Sequence, residues 1–301
     1  MRNLTALTLI TSLLFSCSQK EEKVPPVDVP KTEQEIMEQT LDDKERLDKA
    51  KQIYAMLPSL METSIILKES GANYFASNLK DPNKSYDYQT SLSQSINLGG
   101  YGTNLSFAAA YGKENDVVSF FAAVKVLSDK LNISNAFTEK LMNDVEKNIN
   151  NQTELLRLIS DAYWSANNDL TASERAATST LVFTGGWLEA MYIAVQLVNN
   201  DISQTQIIEK IGQQKYTLEL LNSLLESAKG DENVALVYQD FQPLVDAFGK
   251  LEYTGESQGI TDPVTGEVKE GILKSVIIKE ENLSEITELV QALRDKYNNL
   301  S

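Results

Sequence analysis

The sequence predicts an all-α fold of about ten antiparallel helices with one small β-hairpin near the C-terminus, and three observations carry that prediction. Apolar residues recur at three- and four-residue spacing over most of the chain, the periodicity of helices that bury one face. The breaks between these runs are short, and several open on a capping pair, which favours antiparallel neighbours. The most apolar run, Leu181 to Val198, carries Glu189 as its one charged residue and is hydrophobic on every face, so it must be enclosed. Thr184, Gly185, Gly186 and Gln196 lie within it, and a carboxylate at the centre of a bilayer is expensive. The run therefore reads as a core helix.

In order along the chain, residues 1–16 form a leader. Met1-Arg2-Asn3 precedes an apolar stretch, Leu4 to Phe15, too short to span a bilayer, which is the pattern of a secretory signal. Leu14-Phe15-Ser16-Cys17 resembles the bacterial lipobox, making Cys17 the lipid-attachment residue (a palmitate-type anchor) and residues 17–31 a tether. Serine follows Cys17, where an inner-membrane retention signal has aspartate. Lys20-Glu21-Glu22 resembles the acidic tag that sends lipoproteins of the Bacteroidota to the surface of the outer membrane. The expected location is the outer membrane, at the periplasmic or cell-surface face, with the surface favoured. Val24 to Pro30 holds three prolines, an extended spacer.

From residue 32 to 301 a single helical domain is expected, long enough to bury a full core. Thr32 with Glu35 forms a capping box, and Pro58 suits the first turn of a helix that stops at Gly71. Asp81-Pro82-Asn83 is a loop, and the next helix begins near Tyr86. Three amphipathic segments follow: Val117 to Leu131, Phe137 to Ile149 and Leu155 to Ala166. Asn167-Asn168-Asp169 reads as a helix-ending turn, and Thr171 with Glu174 opens the central helix. Helices over Ile207–Leu225 and Val234–Phe248 come next, the second with a kink at Pro243. Residues 256–279, with the turn sequence Asp262-Pro263-Val264-Thr265-Gly266, read as the hairpin. A last helix, Leu283 to Tyr297, is capped by Asn282.

Two stretches share an unusual feature. Gly185 and Gly186 stand inside the central helix although each glycine costs about 1 kcal/mol there against alanine. Gly186, Ala190 and Ala194 make a groove of small side chains, and so do Gly100, Asn104, Ala108 and Gly112. With an offset of 86 residues, Gly99-Gly100-Tyr101 falls on Gly185-Gly186-Trp187 and Leu105 on Met191. The two grooves are expected to pack together, giving two similar four-helix halves, 86–170 and 172–252.

Composition excludes much chemistry. The chain has no histidine, which removes Ser-His and Cys-His catalysis, imidazole metal sites and haem on a proximal histidine. Its one cysteine is Cys17. The formal charge of −16 argues against nucleic acid, whose phosphates need a basic surface. No catalytic motif, cofactor motif or metal-ligand spacing is present, so no enzyme, cofactor or metal is expected. The candidate ligand-binding residues are Tyr101, Trp164, Trp187, Glu189 and Tyr192, as an interhelical cleft near Trp187 and Glu189. Aromatics at helical spacing and a tethered buried glutamate also fit plain core packing.

Leu57-Pro58-Ser59, Glu62-Thr63, Ser70-Gly71-Ala72, Asn97 to Ser106 and Gly185-Gly186-Trp187-Leu188-Glu189 together resemble an uncharacterised family of Bacteroidota lipoproteins. The resemblance spans most of the chain after the tether. It implies a helical, envelope-located protein and transfers no site residues. The expected function is a non-enzymatic binding or scaffolding module of the envelope, with an unidentified envelope protein or small ligand as partner and the membrane reached through the lipid on Cys17. The alternative is a small-ligand-binding lipoprotein using the cleft at Trp187 and Glu189.

Overall fold

The computed structural model describes residues 60–71, 73–133, 135–172, 175–198, 203–261 and 268–300, all within the compact unit 42–301. The expected leader, Cys17, the expected spacer, the helix expected from Thr32 and the turn sequence expected in the hairpin lie outside these residues. Among those described there are nine α-helices and one two-stranded antiparallel sheet, so the all-α prediction with a C-terminal hairpin holds. The helices are α1 (Leu60–Glu69), α2 (Ser91–Ala110), α3 (Glu114–Lys130), α4 (Glu139–Lys147), α5 (Gln152–Ala172), α6 (Ala176–Val198), α7 (Thr205–Ala228) and α8 (Glu232–Gly249). Strands β1 (Glu252–Thr261) and β2 (Val268–Ile277) then lead to α9 (Glu280–Asn298). Over the two proposed halves, the first carries α2 to α5 and the second α6 to α8.

The core is organised on α2 and α6, which make the most extensive helix–helix contact in the molecule. Eighteen of the twenty residues of α2 are buried, so it is as enclosed as the apolar central helix α6. Although α6 is long and apolar enough to cross a membrane, 72% of that stretch is buried inside the protein. The two helices run parallel: Ile96 lies against Gly185, Thr103 Oγ1 donates to the Gly186 carbonyl at 2.9 Å, and Asn104 reaches Glu189. Helix α9 runs antiparallel to α6, with Arg294 beside Glu189 and Gln291 bonded to Gln196. Helices α3 and α5 pack on α2, and α7 and α8 on α6.

The close approach depends on glycine one residue earlier than the sequence pattern indicated. A Cβ on Gly99 would stand 1.9 Å from the Val182 carbonyl oxygen and 2.6 Å from the Gly186 nitrogen; a Cβ on Gly185 would stand 1.9 Å from the Ile96 oxygen. These two contacts exchange under the 86-residue offset, since Gly99 falls on Gly185 and Ile96 on Val182. Gly100 instead makes room for the Lys80 side chain, and Gly102 for the Tyr163 ring. Gly112 is no part of a helix groove. It sits at φ +64° just past the end of α2, and the amide of Lys113 closes that end on the Ala108 carbonyl, a conformation that glycine supplies at least cost.

Other boundaries moved for identifiable reasons. Residues Pro82–Tyr86 form a 3₁₀ turn capped by Asp81, and α2 starts only at Ser91, where Thr90 and Ser93 make a reciprocal capping box. Asn167 does not end a helix: its side chain is buried and accepts a hydrogen bond from Ser179 Oγ, while Leu170 is buried beside it. Thr171 accordingly stays in α5, and α6 opens at Ala176. Helix α8 runs through Pro243 as one element. Helix α9 begins at Glu280, with Asn282 in its first turn accepting from the Lys279 amide. The hairpin starts at Glu252, four residues before the expected 256, and seats Val276 and Ile278 over Gly212 of α7.

Candidate functional site

The lone charge of the central helix is fully committed. Glu189 is 1% exposed. Its Oε1 accepts from Asn104 Nδ2 at 3.0 Å and from Arg294 Nη2 at 3.4 Å; its Oε2 accepts from Arg294 Nε at 3.3 Å and lies 3.6 Å from Lys80 Nζ. Lys80 also donates to Asn97 Oδ1 at 2.9 Å and Asn298 Oδ1 at 3.2 Å. Burial pulls the Lys80 ammonium down to about 8, against the opposing pull of Glu189. Two cations thus share one carboxylate in a dry interior, where breaking such a cluster costs about 3–5 kcal/mol. The cluster joins the loop before α2 to α2, α6 and α9. The cavities described below do not have Glu189 in their walls, and among the described residues no group of three acidic, cysteine or histidine residues is placed to hold a metal ion.

The five candidate residues divide among three places. Tyr101 and Tyr192 flank the Glu189 cluster: Lys80 Nζ lies 5.8 Å from the Tyr101 ring centre, and the Arg294 guanidinium 4.3 Å from that of Tyr192. The Tyr101 hydroxyl donates to the Asp81 carbonyl at 2.7 Å, and burial raises it well above the usual phenol range. Trp187 faces the other way, 6.3 Å from both Phe241 and Phe248, with Nε1 donating to Gln214 at 3.2 Å. A recess of about 20 Å³ lies beside Gln214 and Met191, close to the minimum for one water molecule. At the cleft expected near Trp187 and Glu189, both residues are buried and packed against the side chains named above.

Trp164 marks a different place. It is 55% exposed on α5, at the mouth of a cavity of about 90 Å³ between α2, α5 and α6. Leu98 and Ser106 of α2, Ala166 of α5, and Val182 and Phe183 of α6 form much of its wall. Among the described residues no charged side chain lines it. Ser106 is 1% exposed, and its hydroxyl has no hydrogen-bond partner, an arrangement that costs about 1–3 kcal/mol. No sequence pattern pointed to Ser106 as a binding residue, because a serine between apolar neighbours on a buried helix is ordinary. Lys80, Asn97, Asn104 and Arg294 were missed too. Arg294 did leave a signal: it follows Ile286 and Val290 in the apolar stripe of α9, where a charge needs a partner.

Comparison with protein-family models, curated proteins and solved structures returns no match for the chain. The site's own geometry carries the functional reading.

Proposed function

We propose that the chain is a lipid-anchored, non-enzymatic binding module of the cell envelope, tethered through Cys17 at the outer membrane and taking a small ligand into the cavity between α2, α5 and α6. The observation that carries this is the cavity itself: an apolar pocket with a single-tryptophan mouth and a partnerless buried hydroxyl on its wall. Preformed apolar pockets with few polar groups are the usual form of small-molecule sites. The Glu189 cluster serves as internal bracing in this reading, since both its carboxylate oxygens are already bonded. The lipobox-like Leu14 to Cys17 and the prolines of the spacer support the tether.

Native mass spectrometry of the full chain, extracted in mild detergent from its own envelope, tests both parts. The expected species carries acyl mass that Cys17→Ser abolishes, together with a releasable small molecule. A chain without acyl mass refutes the tether. A chain that arrives with a protein partner and no small molecule refutes the ligand site in favour of scaffolding.

A further inference from the structure

The two grooves beside the α2–α6 pair are filled differently. The 86-residue offset that places Gly99 on Gly185 also places Ser106 on Tyr192 and Asn97 on Phe183. On one side, Tyr192 is covered by the Arg294 guanidinium, and Asn97 is bonded to Lys80 and to the Tyr297 carbonyl. On the other side the counterpart positions, Ser106 and Phe183, face the cavity. Other buried hydroxyls of α2 and α6 are occupied: Ser95, Thr180 and Thr184 bond to the carbonyl four residues back, Thr103 to Gly186 and Ser179 to Asn167. Ser106 is the exception on these helices, and it lines the cavity.

We propose that this cavity takes a small neutral ligand, one ring or short branched alkyl group bearing a single hydroxyl or carbonyl oxygen, with that oxygen on Ser106 Oγ. The proposal rests on the binding-module reading above and adds the ligand's chemistry. Neutrality follows from a wall without charged side chains among the described residues, where an ion would lose its hydration uncompensated. Size is bounded by the volume: an apolar cavity of about 150 Å³ encloses benzene, so about 90 Å³ takes at most one ring, part of which lies outside the enclosed space against Trp164. The oxygen follows from Ser106, whose hydroxyl either donates or accepts.

Saturation-transfer NMR titrations of the full chain with cyclohexanol, methylcyclohexane and cyclohexanecarboxylate test this. Cyclohexanol is expected to bind most tightly and the carboxylate at least tenfold more weakly. Ser106→Ala should weaken cyclohexanol about three- to tenfold, the range of one neutral hydrogen bond, and leave methylcyclohexane unchanged. Ala166→Leu, or Ser160→Phe if that variant does not fold, should abolish binding of both neutral probes. If cyclohexanol binds but Ser106→Ala leaves it unaltered, or if the carboxylate binds as well as the alcohol, the ligand chemistry is wrong while the pocket stands. If neither neutral probe binds, or the filling variants change nothing, the pocket reading falls as well.

Discussion

Alanine at Gly99 or Gly185 is the sharpest perturbation of this fold. Each new Cβ would lie 1.9 Å from a backbone carbonyl oxygen of the facing helix. No side-chain rotation relieves a clash with backbone, so α2 and α6 must part by about 1.5 Å to restore ordinary contact at 3.4 Å. A gap of 0.5–1 Å already forfeits a quarter to a half of a contact's dispersion energy. Overpacking of this kind costs about 1–3 kcal/mol or more, and alanine returns about 1 kcal/mol through helix propensity. With backbone on both sides the cost falls at the upper end, so the net loss is about 2 kcal/mol for each variant. For a domain of this size that is a fall of about 4–8 °C in Tm, read by circular dichroism at 222 nm. The double variant should lose less than the sum, because one separation of the helices serves both. Gly249→Ala is the control: nothing lies within 4 Å of its new Cβ, and its Tm should hold or rise slightly. Single variants at Gly99 and Gly185 that melt with the wild type would show that the two helices do not meet at these glycines.

Glu189→Gln leaves Lys80 and Arg294 as two buried cations without a counter-charge, and chemical denaturation should show a loss of about 3–5 kcal/mol. The Lys80 ammonium, held down to about 8 by burial, gives stability a pH dependence of known sign. The unfolded chain keeps this proton to a pH near 10.5, so its contribution is absent below about 8 and grows toward 10.5. Unfolding free energy should therefore rise between pH 8 and 10, and Lys80→Met should flatten that rise. Above pH 10 the trend reverses: Tyr88 and Tyr111, pushed up to about 12 by burial, lose their contribution as the unfolded chain ionises first. Iodide should quench the fluorescence of Trp164, 55% exposed, and spare Trp187, 8% exposed; Trp164→Phe removes the quenchable component.

Local signals in this chain were legible because their physics is local. The buried character of α6 follows from an apolar run with one charge. The stop at Gly71, where φ is +83°, follows from glycine's access to that conformation. The hairpin follows from turn residues and β-branched strands. Boundaries failed where tertiary contact overrode a local preference, as at Asn167, which stays helical because Ser179 and the core satisfy its side chain. The partners of Glu189 were not legible for a related reason. Sequence spacing identified Glu189 as a charge in need of company, yet its partners lie 85 to 109 residues away, at Asn104, Lys80 and Arg294, and no pattern along the chain joins them.

The 86-residue offset bears on the same question from the other side. A parallel helix pair related by such an offset creates two equivalent grooves, and a chain with two equivalent grooves has to close both or leave one open. Here Lys80 and the end of α9 reach into one, bringing two cations to the one acid of α6. The equivalent face of α2 presents Ser106 in place of Tyr192, a side chain too short to span the gap and too polar to be left dry without cost. An apolar side chain at 106 would have closed the groove with ordinary core packing. A serine there leaves a cavity beside an unpartnered hydroxyl, the combination that an oxygen-bearing guest would complete.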